Sequence, residues 1–297
     1  MTSGLFQEIS NKQKENIFNF FIAILKKNAI IRSKGDGDMS GFVDSYKKVF
    51  ENKKAHLYIL LVAFVWSILS MCYDANFNTS VNVKTNPVDM IFNIGIGLYS
   101  LNFLHNAIHN INNGALSSFR GFPVGAIWGY IKLNIVWAFY TFIVAVLCVV
   151  SYVWTHSFIA PIIVFTALLL ISVFVNYFYI AFAEDYDFTD LWKLPLIFRF
   201  AKASWKETYI KAIIFILFSL AIAIAYIVAY CVLHLVGIDT MGLVFKDVYC
   251  LDVIMNTLAA YFVIITWYLA FPYSLISSYN RDIRPILRED FVYGENA

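Results

Sequence analysis

Charged side chains are scarce in this chain. Asp, Glu, Lys and Arg make up 14% of its 297 residues, and apolar residues make up 60%. A soluble domain has about a quarter charged and about half apolar residues. A globule with so little polar surface would expose large apolar areas to water. The composition therefore excludes an ordinary soluble domain and predicts that lipid covers part of the molecule.

Motifs for common chemistries are also missing. The chain has no Gly-rich phosphate-binding loop and no Ser nucleophile elbow, so we expect no nucleotide hydrolysis by the chain itself. Its five histidines are too few for a membrane desaturase, and no predicted span has a charge near its centre, which argues against an ion-coupled carrier. We expect no catalytic residues, no cofactor and no nucleic-acid partner.

The four cysteines form no C-x-x-C pair. Cys72 and Cys250 fall at the outer ends of the first and last predicted spans, where an oxidising exterior would permit a disulfide. The alternative is that all four are small apolar residues at helix contacts.

Six apolar segments are long enough to cross a bilayer, which takes about 20 helical residues. They are His56–Tyr73, Val88–His109, Leu133–Trp154, Phe158–Ala183, Ala212–Val236 and Leu251–Ser277. Pro272, near the inner end of the sixth, should leave a backbone carbonyl unpaired and bend the helix. The fold class predicted is an all-α, polytopic membrane protein with six transmembrane helices in three hairpins.

The basic residues alternate between the connections. All of the 22 Lys and Arg residues except Lys84 and Lys246 fall on one side of this threading. By the positive-inside rule, that side is cytoplasmic. We therefore predict an inner (plasma) membrane protein of a bacterium with both termini in the cytoplasm. The polar first residues predict no cleaved signal peptide.

This threading divides the chain into three parts. Residues 1–54 are expected to be cytoplasmic and interfacial, 55–280 to form the membrane domain, and 281–297 to be a cytoplasmic tail. Four stretches on the basic side are amphipathic and are interpreted either as interfacial helices or as extensions of the following spans. Their apolar faces begin at Ile17, Phe42, Ile127 and Ile197.

A weak internal repeat accompanies these stretches. Tyr130-Ile131-Lys132 opens the third span and Tyr209-Ile210-Lys211 opens the fifth, and each follows a Trp, Trp128 or Trp205. We interpret the chain as three units, each an amphipathic helix, a span, an outer loop and a second span. Such repeats place a substrate pathway at the interfaces between units.

Polar residues in the second and sixth spans are the candidates for that pathway. Asn93 and Asn102 lie in the second span, and Asn256 and Thr257 in the sixth. Polar groups in hydrocarbon are unfavourable unless paired, so these faces should point into the bundle. They form either a substrate pathway or hydrogen bonds that hold the helices together.

His105 and His109 are the only candidate metal ligands. Their i, i+4 spacing puts them on one helix face at the inner end of the second span. A metal site would need further ligands, and the nearest carboxylates expected are Glu184 and Asp185, at the equivalent end of the fourth span. The alternative is two interfacial histidines that hydrogen-bond to lipid or loop.

Two families offer a resemblance. The stretches Ser45-Tyr-Lys-Lys-Val-Phe, Asn113-Gly-Ala-Leu-Ser-Ser-Phe and Trp205–Lys211 resemble uncharacterised bacterial six-span membrane proteins, akin to the membrane domain fused to some glycerophosphodiester phosphodiesterases. The resemblance runs from about Gly41 onward and implies a fold without site residues. The chain also resembles the permease subunits of type-2 ABC exporters, with Ile17–Leu25 as interfacial helix and Phe122–Ile131 as coupling helix.

The leading hypothesis is a non-catalytic membrane subunit, transport-related or a scaffold, that works with other subunits. Its partner surface would carry Trp128, Arg199, Lys202 and Trp205. One alternative is the permease half of an ABC-type exporter of lipid-linked or peptide substrates, powered by a separate ATPase. The other is a metal-dependent membrane enzyme that uses His105 and His109. The partners expected are the lipid bilayer and other membrane or cytoplasmic subunits, with an ATPase or further copies of this chain as the options.

Overall fold

The computed structural model describes residues 36–51, 53–77, 86–109, 124–237, 242–245 and 248–288. The chain divides into two compact units, Met1–Ser40 and Gly41–Ala297, and the contacts given below lie within the second. The expected interfacial helix at Ile17–Leu25 lies outside the described residues.

The elements follow the chain as a series of long helices. Their bounds are α1 Asp36–Phe50, α2 Lys53–Phe77, α3 Pro87–Ile108, α4 Val124–Thr155, α5 Ile159–Ser172, α6 Val175–Asp185, α7 Ile197–Leu235, α8 Cys250–Val263 and α9 Phe271–Ser278. Helix α1 precedes the membrane segments, and α2, α3 and α4 are the first three spans. The fourth span consists of α5 and α6, the fifth is α7, and the sixth contains α8 and α9.

Shorter elements join these helices. Two 3₁₀ turns, Thr189–Trp192 and Leu194–Leu196, lead into α7. Two π-helical segments, Ile264–Ala270 and Tyr279–Ile283, flank α9. A small antiparallel pair, β1 (Leu243–Phe245) and β2 (Val248–Tyr249), lies between the fifth and sixth spans.

Six helical segments are long and apolar enough to cross a membrane, which confirms the predicted all-α, six-span class. They are Ala55–Phe77, Pro87–Ile108, Ile127–Thr155, Ile159–Asp185, Leu194–Leu235 and Cys250–Arg288. The last one continues past the expected boundary at residue 280, and its final turns carry charges that pair with neighbouring helices (see below). The protein is therefore a polytopic membrane protein by helix length and composition.

Consecutive spans are joined as three hairpins, each with a polar contact near its tip. In the first, Trp66 Nε1 and Ser70 Oγ donate to Asp89 at 2.8 and 2.7 Å. In the third, the Tyr230 hydroxyl donates to Asp252 at 3.1 Å. The second has the weaker contact of the Cys148 thiol with the Pro161 carbonyl, at 3.9 Å. The other end of the bundle, where the first, third and fifth spans begin, is called the basic side below.

The first, second and sixth spans form the packed centre of the bundle. They bury 28%, 39% and 44% of their most apolar window, whereas the third, fourth and fifth bury 11%, 6% and 11%. Many large apolar side chains on these three outer spans are exposed. In a protein of this composition, such surfaces face lipid or other membrane helices.

The apolar face of α1 packs against the bundle. Phe42 is buried, and its ring lies 4.9 Å from that of Phe215 in α7. The Tyr46 hydroxyl donates to Thr266 in the sixth span at 3.0 Å. Burial raises the pKa of Tyr46 to about 12, and the hydrogen bond to Thr266 lowers it by a smaller amount. Lys48 lies off this face and pairs with Glu51.

The other two described amphipathic stretches are continuous with their spans. Residues 127–131 belong to α4 and residues 197–205 to α7, so the extension interpretation applies to both. The buried stripe of α7 runs through Ile197, Phe200 and Ser204, whereas Phe198 is 70% exposed. The buried side chains of this stretch therefore face the bundle, and Phe198 faces outward.

All four cysteines are free thiols. The bridge between Cys72 and Cys250 is not formed, and both side chains are at least partly exposed.

Candidate functional site

Two local changes of helical hydrogen-bond pattern, called helix breaks below, contribute residues to one cavity between the spans, and at the first of them Val173 and Phe174 keep right-handed helical dihedral angles. The fourth span is interrupted at Val173–Phe174, between α5 and α6. The sixth span changes to π-helical geometry over Ile264–Ala270, directly before Pro272. Broken helices at bilayer depth are tolerated where the backbone is buried or lines a cavity, and π-helical segments are often found at functional sites.

Side chains bind the carbonyls at the break in the fourth span. The Phe174 amide bonds to Ile171 instead of Leu170, and the Leu170 carbonyl accepts from the Tyr209 hydroxyl at 2.9 Å. The Tyr177 amide bonds to Phe174, and the Val173 carbonyl accepts from Asn176 Nδ2 at 3.0 Å.

At the break in the sixth span, a side chain of the second span donates a hydrogen bond to a backbone carbonyl. Pro272 has no amide hydrogen to give to the carbonyl four residues earlier, that of Tyr268. Ser100, which is fully buried, donates its hydroxyl hydrogen to this carbonyl at 2.5 Å. The second and sixth spans therefore meet through a polar contact, as expected from their composition.

A cavity of about 380 Å³ lies between the second, third, fourth and sixth spans, where these breaks occur. It is in the half of the bundle nearer the basic side, since Tyr130 comes only one turn after the third span begins. The residues that line it are Ser100, Tyr130, Leu133, Asn134, Trp137, Ser172, Val175, Asn176, Tyr179, Trp267, Tyr268 and Pro272. None carries a formal charge, and polar groups alternate with aromatic rings. Such a lining is typical of a small-molecule site.

A glycine allows one wall of the cavity to form. A Cβ atom on Gly97 would overlap the ring of Tyr130, lying 2.7 Å from its Cε2 atom. With hydrogen in that place, the Tyr130 ring packs directly on the second span and its hydroxyl reaches the Asn93 carbonyl at 3.4 Å. The Tyr179 hydroxyl donates to the Gly97 carbonyl at 3.2 Å, so both tyrosines are anchored on one turn of α3.

The predicted repeat has a structural counterpart at this point. Tyr130 opens the third span and donates to a carbonyl 37 residues earlier in the second. Tyr209 lies further along its helix, in the fifth span, and donates to a carbonyl 39 residues earlier in the fourth. The two tyrosines of the repeated Tyr-Ile-Lys triplet therefore make equivalent contacts with the preceding span. The repeat itself stays a prediction.

The basic side is held together by a buried carboxylate. Glu184, at the end of α6, has a side chain that is 8% exposed. It accepts from the Tyr279 hydroxyl at 2.5 Å, from Arg284, and from Arg288 at 3.3 Å. Tyr279, Arg284 and Arg288 all lie on the sixth span. One acidic group therefore fixes the ends of the fourth and sixth spans to each other.

A second charged group lies on the other flank of the sixth span. Lys211 is buried and donates to Glu207 at 2.6 Å and to the Ser274 carbonyl at 2.7 Å. Glu207 also accepts from Arg281 at 2.5 Å. Lys211 is the lysine of the second Tyr-Ile-Lys triplet, and its partners join the fifth and sixth spans as Glu184 joins the fourth and sixth.

The two histidines contact the backbone of α6 instead of its carboxylates. His105 Nδ1 lies 2.9 Å from the Ala183 carbonyl, and His109 Nε2 lies 3.0 Å from the Glu184 carbonyl. Because a carbonyl only accepts, these two nitrogens carry the protons. Tyr186 stacks on His105 with ring centroids 5.1 Å apart. Burial raises the pKa of the Tyr186 hydroxyl to about 12.

No metal centre is formed by the described residues, which contain no group of three or more His, Cys, Asp or Glu side chains that could hold an ion. The described contacts of His105 and His109 instead link the second span to the fourth. The hypothesis of a metal-dependent enzyme therefore lacks a third metal ligand among the described residues.

None of the four candidate pathway residues lines the cavity. Asn102 is buried and Asn93 is exposed. Thr257 donates to the Val253 carbonyl of its own helix at 2.6 Å, and it lines a shallow apolar groove against the first span. Asn256 lies beside it and is half-buried. The structure thus brings the second and sixth spans together, but at Ser100 and Tyr268.

The candidate partner surface is exposed in the structure. Trp128 and Trp205 are 60% and 57% exposed, and Arg199 and Lys202 are exposed as well. All four lie in the first turns of the third and fifth spans, on the basic side. Tryptophans and basic residues at this depth are typical of a membrane interface, so exposure alone does not identify a partner.

Sequence reasoning missed the cavity, although a signal was present. On the third span, Tyr130, Asn134 and Trp137 follow at i, i+4 and i+7, and Ser172, Asn176 and Tyr179 have the same spacing on the fourth. That spacing puts each set on one helix face. Two polar–aromatic faces on neighbouring spans predict a shared polar interior.

Comparison with known proteins gives no match to a family model, to a curated protein or to a solved structure.

Proposed function

We propose that the protein is a non-catalytic, transport-related membrane subunit whose ligand site is the cavity between the second, third, fourth and sixth spans. The observation that supports this most directly is the meeting of two broken helices at one uncharged, polar–aromatic cavity. Secondary transporters bind substrates at discontinuous helices near the bilayer interior.

A cavity-filling variant tests this function. Val175 lines the cavity, so Val175→Trp should fill it, whereas Ile163→Trp adds the same ring to an exposed face of the same span. Each variant and the wild type would be purified in mild detergent, and retained small molecules identified by mass spectrometry. We expect Val175→Trp alone to lose compounds that the other two retain. Identical compounds in all three proteins would refute a ligand site here.

We also propose that the basic side faces the cytoplasm of a bacterial cell, with both termini inside. The positive-inside rule supports this orientation. In a cysteine-free background, Lys47→Cys places a thiol on the basic side and Thr155→Cys one at the opposite end, and both positions are exposed. A membrane-impermeant maleimide added to intact cells should label Thr155→Cys only. Labelling of Lys47→Cys would show the reverse orientation.

The protein is further proposed to work with other subunits. Support comes from the large apolar surface of the three outer spans and from the exposed group around Trp205. The resemblances to uncharacterised six-span proteins and to type-2 ABC permeases are compatible with this role. Purification in mild detergent separates the alternatives, because a nucleotide-binding protein that co-purifies would favour the exporter half, and a chain that stays alone would argue against a complex.

A further inference from the structure

The first turns of α7 have two opposite faces. Phe200 is buried, with its ring 5.0 Å from that of Phe178, and the hydroxyls of Thr208 and Tyr177 lie 2.5 Å apart. One face is therefore held against α6. The other face is exposed, and its spacing puts five side chains on one side of the helix. These residues, called the α7 face below, are Phe198, Arg199, Lys202, Trp205 and Lys206.

The α7 face is basic and aromatic. It carries three basic side chains, and no Asp or Glu occurs in α7 before Glu207. The carboxylate of Glu207 pairs with Lys211 and Arg281 at 2.6 and 2.5 Å. The two aromatic side chains of the face are each more than half exposed. An acidic segment with aromatic side chains is complementary to such a surface in both charge and contact area.

Lipid covers the later turns of α7 but not this face. From Ile213 to Val232, every exposed side chain is apolar. At about 1.5 Å per residue, this stretch is about 29 Å long and crosses the hydrocarbon by itself. On the same scale Trp205 lies about 12 Å and Phe198 about 22 Å before Ile213, whereas each headgroup layer is only about 5–7 Å thick. A helix tilt of about 20° shortens these distances by only about 6%. The α7 face therefore reaches into water on the basic side.

The chain itself contains a segment of the complementary kind. Residues 289–297, Glu-Asp-Phe-Val-Tyr-Gly-Glu-Asn-Ala, carry three carboxylates, two aromatic rings and no basic side chain. Two longer segments outside the described residues also adjoin the basic side of the bundle. Residues 1–35 have six basic and two acidic side chains, and residues 110–123 have one basic and no acidic side chain. Charge therefore singles out residues 289–297 among the three.

This segment begins within reach of the α7 face. It follows Arg288, and seven residues earlier on the same span Arg281 contacts Glu207 of α7 at 2.5 Å. Arg288 lies about 10 Å further toward the basic side than Arg281, and Phe198 lies about 14 Å further in that direction than Glu207. Nine extended residues reach at most about 30 Å, which exceeds the helix diameter of about 10–12 Å around which they must pass. The segment is therefore long enough to cover the face.

We propose that residues 289–297 bind the α7 face of their own chain, with their carboxylates paired to its basic side chains and their rings against Phe198 and Trp205. The apolar contact removes two large side chains from water, and the charge pairs fix how the segment lies on the helix. This inference is independent of the ligand cavity. A partner subunit that uses the α7 face would have to displace the segment.

Disulfide cross-linking within the full chain tests the proposal. In a cysteine-free background, Ala203→Cys puts a thiol at the edge of the α7 face, where Ala203 is exposed, and Asn296→Cys puts one in the segment. The control pair is Asn280→Cys with Asn296→Cys, because Asn280 is exposed on the sixth span and closer along the chain. Protein purified in mild detergent would be oxidised mildly, and the remaining thiols counted with maleimide-polyethylene glycol. The Ala203→Cys pair should oxidise at least about fivefold faster than the control pair. Equal rates, or a faster control pair, would refute the proposal.

Charge variants show whether ion pairing contributes to the binding. Lys202→Glu with Lys206→Glu should slow oxidation of the Ala203→Cys pair about fivefold. Adding Glu289→Lys with Asp290→Lys should restore most of the rate, which a merely misfolded protein would not do. A rate that the two Lys→Glu changes leave unaltered, or disulfides that join two chains on a gel, would overturn binding within one chain.

The other possible occupant of the α7 face is an anionic membrane surface. In that case the Ala203→Cys pair stays reduced. Vesicles of phosphatidylglycerol that contain the protein would then protect Ala203→Cys from maleimide, whereas vesicles of phosphatidylcholine would not. This combination of results would also overturn the proposal.

Discussion

Neutralising Glu184 should destabilise the bundle more than any change to a surface carboxylate. Glu184→Gln keeps the shape and removes the charge that Arg284 and Arg288 face. Breaking a buried ion pair costs about 3–5 kcal/mol. Because Arg284 and Arg288 are 34% and 68% exposed at their side chains, solvent stabilises the remaining charges in part. We therefore expect a loss of about 2–3 kcal/mol.

The assay is thermal unfolding of the purified protein in mild detergent, where such a loss lowers the midpoint by about 3–5 °C for a protein of this size. The control is Glu51→Gln, which removes one partner of an exposed pair with Lys48 and should change stability by less than about 0.5 kcal/mol. The double variant Glu184→Gln with Arg284→Gln should lose less than the sum of its single changes. If Glu184→Gln melts like Glu51→Gln, the carboxylate does not hold the fourth and sixth spans together.

Two further predictions concern single residues. Gly97→Ala should lower the unfolding midpoint, because its methyl group overlaps Tyr130, whereas Gly95→Ala, on the same helix with no atom within 4 Å of the new Cβ, should raise the midpoint or leave it unchanged; equal effects would mean that Tyr130 does not need Gly97. Hydrogen bonds from the Thr189 side chain and from its backbone N–H, the latter at 2.9 Å, hold the pKa of Asp187 below its ordinary value. The stabilisation by Asp187 is therefore complete above its unfolded-state pKa and is lost as pH falls through its lower folded-state pKa, so the stability difference between wild type and Asp187→Asn should shrink below about pH 4; a difference that stays constant from pH 7 to pH 3 would contradict this.

The spans could be predicted from the sequence because lipid imposes a constraint that acts on each segment separately. Any helix that crosses hydrocarbon needs enough apolar residues, wherever its neighbours lie. The limits of the extended spans could not be predicted in the same way. Residues 197–205 continue directly into a membrane helix, and hydropathy does not distinguish such an extension from a separate interfacial helix.

The candidate site depends on contacts between distant segments. The sequence indicates Glu184 only as a neighbour of His105 and His109. The structure places the backbone of α6 against these histidines, while the Glu184 carboxylate turns to Arg284. The sequence singles out Asn93, Asn256 and Thr257 by their polarity alone. A polar residue in a span can bond its own helix, as Thr257 does, and composition does not reveal which residues do so.

Pro272 is the residue at which the sequence prediction and the structure meet most closely. The sequence predicts an unpaired carbonyl before it, and the structure shows Ser100 bonded to the Tyr268 carbonyl at 2.5 Å. Ser100→Ala should then cost about 1 kcal/mol, between the average for hydrogen bonds in membranes and the penalty for a buried unpaired carbonyl.

In a Pro272→Ala background, residue 272 regains an amide hydrogen that can satisfy Tyr268 within the helix. Ser100→Ala should there cost close to nothing, so the two changes should couple by about 1 kcal/mol in an unfolding cycle. The same Pro272→Ala protein should lose compounds that the wild-type cavity retains, because a regular sixth span would no longer hold Trp267 and Tyr268 in the cavity wall. Additive stabilities would mean that Ser100 does not compensate for the proline, and the cavity would then need another explanation for the break beside it.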